Sequence, residues 1–168
     1  TEYCGKDHSR MNRRVIVLNE ADFTLWEKNQ RVWLEKIPKE ELYFKAGPKL
    51  YARCASCHTL DGSPSTGPSW GPHDGLPAIW DRTEKGLTKV SGKPLSELIG
   101  AGKEFAVPED YIRNSILQPN HLIVDGFAPG MPTFQGQLND LGIDAIIGFM
   151  KHLNEFDAKG VLKKPAAD

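Results

Sequence analysis

The chain has 168 residues, of which 39% are hydrophobic and 26% are charged, a composition typical of a globular protein and not of a disordered chain. Its 21 basic and 22 acidic residues give a formal net charge of -1, which argues against a nucleic-acid-binding protein because such proteins carry a basic surplus. No apolar run reaches the roughly 18–20 residues of a membrane span, and no signal-peptide pattern precedes the first elements. The length predicts one domain with a short appendage. Because the chain starts at Thr1 without a Met, we expect a mature form or a piece of a longer protein.

The N-terminal quarter predicts one strand and one helix. The apolar run over residues 14–18 is typical of a short strand. Residues 19–22 predict a turn and a helix start, and partly periodic apolar residues favour a helix over residues 23–35. Pro38 ends this helix, and residues 39–45 form a linker or a single helical turn.

The middle of the chain predicts short helices separated by a long loop. A helix begins at Gly47-Pro48, because proline is favoured in the first helical turn. Residues 60–81 are so rich in glycine and proline that they predict a loop. Residues 83–107 are polar, with a short helix at residues 95–99.

The C-terminal third predicts two better-defined helices. Residues 108–117 form a helix that Pro119 stops. Residues 120–138 are irregular, and Asn139-Asp140 caps a last helix that runs to about Phe156. Residues 159–168 form a flexible tail. Short helices joined by long loops need something that orders the loops in a compact domain.

The string Cys54-Ala55-Ser56-Cys57-His58 is the strongest motif of the chain. A C-x-x-C-H string is the attachment signature of c-type haem. Two thiols at this spacing can form thioethers to the two vinyl groups of one haem, and the adjacent histidine then lies under the iron. A covalently bound haem is also a large rigid core that can order long loops.

A redox-active cysteine pair and half of a zinc site are the alternatives for this motif. Structural zinc requires four ligands, and the sequence offers no second cysteine or histidine pair of suitable spacing. A thioredoxin-like pair follows a strand, whereas a helix is predicted before Cys54. Haem attachment is therefore the favoured interpretation.

A low-spin haem needs a second axial ligand, and Met131 is the best candidate. It lies in a loop between two prolines, and such a rigid loop can hold a thioether against the iron. Met150 falls inside the last helix, where packing is the usual role of methionine. His121 is the best alternative, because its loop leads into Met131. The other candidates are Met11, His8, His73 and His152.

Residues 41–156 resemble a class I cytochrome c. The resemblance is carried by the helix that leads into the C-x-x-C-H motif and by four further strings. These strings are Thr66-Gly67-Pro68, Tyr111-Ile112-Arg113 with Gln118-Pro119-Asn120, Pro129-Gly130-Met131-Pro132 with Phe134, and the terminal helix through Gly148-Phe149-Met150. The resemblance implies an all-α fold of short helices and long loops around one haem c, over a domain spanning residues 41–158.

This resemblance also implies roles for individual residues. Cys54 and Cys57 would hold the haem, and His58 and Met131 would bind its iron. The carbonyl of Pro68 would accept a hydrogen bond from His58. The terminal helix would cross the first one, with Phe149 near Ala46, Gly47 and Leu50. The remaining pocket residues implied by the resemblance are Trp80, Arg82, Tyr111 and Phe134.

The N-terminus is similar to a second family. Residues 2–11 match the end of the dinuclear copper (CuA) motif of cytochrome c oxidase subunit II, with Cys4, His8 and Met11 at the spacing of its second cysteine, histidine and methionine. The first cysteine of that motif would precede Thr1. The resemblance implies that residues 1–40 are the end of a cupredoxin (CuA) domain plus a linker, as in caa3-type oxidases. With a single cysteine here, we expect these residues to bind no native copper pair.

These features together predict electron transfer through a haem c. The resemblance implies a respiratory electron donor, which is a cytochrome c, another small redox protein or a quinol-oxidising complex. The implied acceptor is the CuA centre of a haem-copper oxygen reductase, which only the full-length parent contains, and the CuA domain and the other oxidase subunits are the implied partners. That parent would lie on the extracytoplasmic, periplasmic face of a bacterial membrane, anchored through a missing N-terminal part. An independent one-haem cytochrome c subunit of a dehydrogenase or another respiratory complex is the alternative. A haem-based sensor or peroxidase-like protein is a further one, and it would need an open sixth position on the iron.

Overall fold

The structure is a computed structural model that describes residues 16–163, except for the side chains of residues 27–31. The chain divides into two compact units, Thr1–Trp33 and Leu34–Asp168. None of the described helices is long and apolar enough to cross a membrane.

The described part of the first unit is one helix. Helix α1 spans Glu20–Val32 and is capped by Asn19, whose side chain accepts a hydrogen bond from the backbone N–H of Asp22 at 2.9 Å. The predicted helix start is thus confirmed. Residues 16–18 form no strand, because an apolar run becomes a strand only beside a pairing partner, and the described residues supply none. Cys4, His8 and Met11, on which the copper interpretation rests, lie outside the described residues.

The second unit consists of short helices and one small hairpin, joined by loops. Its elements are a 3-10 turn at Lys39–Glu41, α2 (Leu42–Lys45), α3 (Gly47–Tyr51), α4 (Ile79–Glu84), β1 (Lys89–Val90), β2 (Lys93–Pro94), α5 (Leu95–Leu98), α6 (Pro108–Leu117), α7 (Asp140–Lys151) and a 3-10 turn at Leu153–Glu155. The predicted helix over residues 108–117 is confirmed. The predicted last helix is confirmed up to Lys151, with Asn139 as its cap.

The structure contains two elements that the sequence did not predict. Helix α4 begins two residues after Pro77, at the end of the glycine- and proline-rich segment that predicts only a loop. The β1–β2 hairpin has strands of two residues each, joined through Ser91 and Gly92. Strands of this length carry no detectable alternation of polar and apolar residues, so the sequence pattern could not reveal them.

The close crossing of α7 over α2 and α3 organises the core. A β-carbon added at Gly47 would lie 2.6 Å from Cβ of Phe149 and 2.9 Å from the carbonyl oxygen of Ala145. A β-carbon at Gly148 would lie 2.9 Å from Cβ of Tyr43. Glycines on both sides of the crossing therefore let the backbones approach. Phe149 is fully buried there, in the position that the family resemblance implies.

We expect Gly47→Ala to destabilise the haem-loaded protein by about 1–3 kcal/mol, the usual cost of overpacking a tight core contact. The added methyl group has backbone, and not only a flexible side chain, in its way. The measurement is the free energy of unfolding from denaturant titration. Gly142→Ala is the matched control, because the atoms nearest its β-carbon would all belong to side chains, Oδ1 of Asn139 at 3.3 Å and methyl groups of Leu138 and Leu34 at 3.6 Å, and alanine is favoured over glycine within a helix. Equal losses in the two variants would contradict this account of the crossing.

Candidate haem site

The C-x-x-C-H motif forms a tight turn directly after α3. The backbone N–H groups of Cys57 and His58 both donate to the carbonyl of Cys54, at 3.0 and 2.9 Å. Both thiols are free and half-buried. Burial raises the pKa of the Cys54 thiol to about 11, whereas hydrogen bonds from the hydroxyls of Thr66 and Ser56 lower the pKa of Cys57. Cys57 is therefore the more reactive of the two thiols.

The imidazole of His58 is held in one tautomer. Its Nδ1 lies 2.9 Å from the carbonyl oxygen of Pro68, and since a carbonyl can only accept, Nδ1 carries the proton and donates. Nε2 is then left with a free lone pair, which is the form that binds a metal. Burial lowers the pKa of His58, so the ring is neutral and ready for coordination.

The surroundings fix both ends of this histidine. A β-carbon at Gly67 would lie 2.6 Å from Cε1 of His58, so only glycine lets this loop pass beside the ring. The N–H of Gly67 donates to the carbonyl of Cys57 at 2.9 Å. On the other side, the buried hydroxyl of Tyr51 donates to the carbonyl of His58 at 2.6 Å. Neighbouring protein groups thus hold both the ring and the backbone of His58 in place.

A large apolar cleft opens in front of His58. Two adjoining cavities, of about 330 and 550 Å³, fall in the size range of small-molecule and cofactor sites. Cys57 lines the second cavity. The residues that line both are Cys54, His58, Pro68, Ser115, Val124, Phe127, Met131 and Phe134. The cleft therefore brings the attachment motif and the predicted methionine ligand to the same space.

The structure brings most of the predicted pocket residues to this cleft, but not Trp80. Arg82 and Tyr111 line the first cavity. Helix α4 turns Ile79, Arg82 and Thr83 toward it, the spacing of one helical face. Trp80 lies on another face of α4, where the Lys151 ammonium stands 4.4 Å from its ring centroid.

Of the other candidate iron ligands that the structure describes, two line the cleft and two do not. Met150 and His73 line the first cavity. His121 does not, because its Nδ1 lies 3.0 Å from Oδ1 of Asn114 and its Nε2 lies 3.3 Å from Glu104. His152 is stacked on the ring of Tyr43, at 4.2 Å between centroids. His8 and Met11 fall in the part that the structure does not describe.

Arg82 provides a chemical test of whether the cleft suits a haem. Its guanidinium is buried, donates from Nη2 to the carbonyl of Ser69 at 2.5 Å and places Nη1 3.1 Å from both ring nitrogens of His73. Its Nε is buried without a partner, and no carboxylate of residues 16–163 forms an ion pair with the side chain. A buried cation with an unpartnered donor is costly and favours a nearby acceptor, best an anion, and a haem propionate would be one. The residues present therefore fit a haem c.

Three of the groups that position the site were missed by the sequence analysis. No motif of the sequence marks Tyr51, Ser69 or Asp125. Tyr51 bonds to His58, seven positions away, Ser69 to Arg82, 13 positions away, and Asp125 to Gly92, 33 positions away. The glycine and proline density around Ser69 signalled a loop, and it gave no indication of the Arg82 contact.

Comparison with known proteins agrees with this geometry. The family model for cytochrome c matches residues 44–154, a stretch that holds the motif, the cleft, α6 and α7. No curated protein matches the chain. The cytochrome c family performs haem-based electron transfer with a covalently attached haem c, and Cys54 and Cys57 supply its attachment motif here. The chain belongs to the cytochrome c family, with a class I cytochrome c domain.

Proposed function

We propose that this chain is a closed, one-haem electron carrier in which His58 and Met131 would both bind the iron. The observation that carries the proposal is the fixed tautomer of His58: its Nδ1 donates to Pro68, and Nε2 is free in a cleft that Met131 also lines. When bound, haem c supplies reversible one-electron oxidation and reduction of its iron. Neither ligand has to leave during such a cycle.

The residues of the cleft perform three tasks in this role. Cys54 and Cys57 would tether the group. The Pro68 carbonyl orients the imidazole of His58 and increases its basicity, and the thioether of Met131 would favour the reduced state of a bound iron. Phe127 and Phe134 would shield the iron from water, and Arg82 would pair with a haem propionate, an anion that is costly to bury without a partner.

We further propose that the acceptor is the CuA centre of a haem-copper oxygen reductase, and that the chain functions on the extracytoplasmic face of a bacterial membrane. The support is the spacing of Cys4, His8 and Met11 in the sequence, which is similar to the end of a CuA motif. An independent cytochrome c subunit of another respiratory complex would have the same cleft and no reason for that string.

The visible spectrum of the purified haem-loaded protein tests the proposed carrier. We expect sharp low-spin c-type bands on reduction, a far-red sulfur–iron band on oxidation and no shift with carbon monoxide. High-spin bands or rapid binding of carbon monoxide would contradict the closed site and would favour a sensor or peroxidase-like function.

Replacing the predicted ligand gives a second test. We expect Met131→Ala to abolish the far-red band, to lower the reduction potential because the thioether no longer stabilises ferrous iron, and to allow carbon monoxide to bind. Met150→Leu is the matched control, because Met150 lines the same cleft from within α7. If Met150→Leu abolishes the band and Met131→Ala retains it, the assignment is wrong.

Electron transfer to a soluble CuA domain tests the proposed acceptor. The reduced protein is mixed with the oxidised copper domain, and absorption changes of haem and copper are followed together. We expect faster transfer than to a one-copper protein of similar potential. Equal rates would favour the independent subunit.

A further inference from the structure

The loop that carries Met131 has no internal hydrogen bonds that could hold it. We call residues 126–132 the methionine loop. Within the part of the chain that the structure describes, residues 128–132 form no hydrogen bond. Its first residues are tied only by the N–H of Phe127, which donates to the carbonyl of Val124 at 3.1 Å. The position of Met131 therefore depends on proline stiffness and on what anchors the loop at its two ends.

The residues that directly follow the methionine loop are hydrogen-bonded to α6. The hydroxyl of Thr133 donates to the carbonyl of Leu117 at 2.6 Å, and the N–H of Phe134 donates to the carbonyl of Ile116 at 3.2 Å. Phe134 is itself buried. This anchor uses the last turn of a well-formed helix, whose terminal carbonyls are free to accept.

The residues that directly precede the methionine loop are hydrogen-bonded to the β1–β2 hairpin. The N–H of Ser91 donates to the carbonyl of Ile123 at 2.8 Å, and the N–H of Ile123 lies 3.2 Å from the Ser91 hydroxyl oxygen. The N–H of Asp125 donates to the carbonyl of Lys89 at 3.0 Å. The carboxylate of Asp125 accepts from the N–H of Gly92 at 2.9 Å. Residues 123–125 thus join the hairpin through four hydrogen bonds.

The β1–β2 hairpin is itself held firmly against the core. Ser91 and Gly92 have φ values of 49° and 81°, which is the pattern of a tight two-residue turn. Below the turn, Val90 and Leu95 are fully buried, and the N–H of Leu95 donates to the carbonyl of Thr88 at 2.9 Å. The turn is therefore fixed to the core, and its N–H groups point to a segment some 30 residues further along the chain.

We propose that the β1–β2 hairpin positions Met131 as an iron ligand, and that Asp125 is one of its positioning residues. Through the bond from Asp125 to Gly92, the hairpin sets where the methionine loop begins, and it opposes the movement that would withdraw Met131 from the iron. The inference rests on the proposed ligation by His58 and Met131. Asp125 also lines the first cavity, and its proposed role is exerted through its bond to Gly92 and the start of the methionine loop.

The test compares three variants of the haem-loaded protein. Asp125→Ala removes the hydrogen bond to Gly92, whereas Asp125→Asn removes the charge and keeps an oxygen that can accept it. Asp157→Ala is the matched structural control, because the Asp157 carboxylate accepts from the N–H groups of Lys159 and Val161, both at 2.8 Å, in a turn that does not line the cleft. Each variant is measured for carbon monoxide binding to reduced protein, for thermal loss of the far-red band and for global unfolding.

We expect Asp125→Ala to accelerate carbon monoxide binding about threefold to tenfold, the effect of one hydrogen bond on a local opening. The far-red band should be lost well below global unfolding. Asp125→Asn should behave like wild type, and Asp157→Ala should lower global stability without changing carbon monoxide binding.

Unchanged binding in Asp125→Ala, or a band that is lost only together with the fold, would overturn the inference alone. A wild-type protein without the band, or one that binds carbon monoxide at once, would overturn the ligand assignment and this inference with it. The spectrum and carbon monoxide binding of the wild-type protein therefore distinguish failure of the positioning inference from failure of the ligand assignment.

Discussion

The hydrogen bond from Nδ1 of His58 to the carbonyl of Pro68 is the interaction on which the site depends. It selects the tautomer, directs Nε2 into the cleft and requires residues 67–68 to pass within contact distance of the ring. That close passage is possible because residue 67 is glycine. Burial of the imidazole disfavours its protonated form, so burial and hydrogen bond together select the state that can bind iron.

The histidine side of the cleft was readable from the sequence because it is local. Cys54, Cys57, His58 and Pro68 lie within fifteen positions of one another, and their spacing is a direct consequence of haem geometry. Helices α6 and α7 were equally predictable, because proline or asparagine marks their starts and apolar residues recur at helical intervals along them. Trp80 was assigned to the pocket by the family resemblance alone, and the sequence does not show which face of helix α4 it occupies.

On the methionine side of the cleft, the sequence predicted Met131 itself but not the contacts that hold its loop. Met131 stands out between two prolines, yet the hydrogen bonds that fix the start of its loop join residues 33 and 32 positions apart. Two-residue strands and a serine at positive φ leave no periodic pattern in the sequence. Such contacts are set by tertiary packing, which overrides local preference.

The two sides of the cleft therefore differ in how their geometry is maintained. His58 is restrained by groups from the same short stretch of chain, so it stays in place as long as that stretch is folded. Met131 is restrained at a distance, by a hairpin on one side and by the end of α6 on the other. The methionine loop can open by breaking one of those anchors while the core stays intact, because neither anchor takes part in the helix crossing around Phe149. Weak local restraint beside a stable core is the arrangement in which a segment opens without global unfolding. Under the proposed ligation by Met131, these anchors act together with the prolines to set how firmly the iron is closed to external ligands.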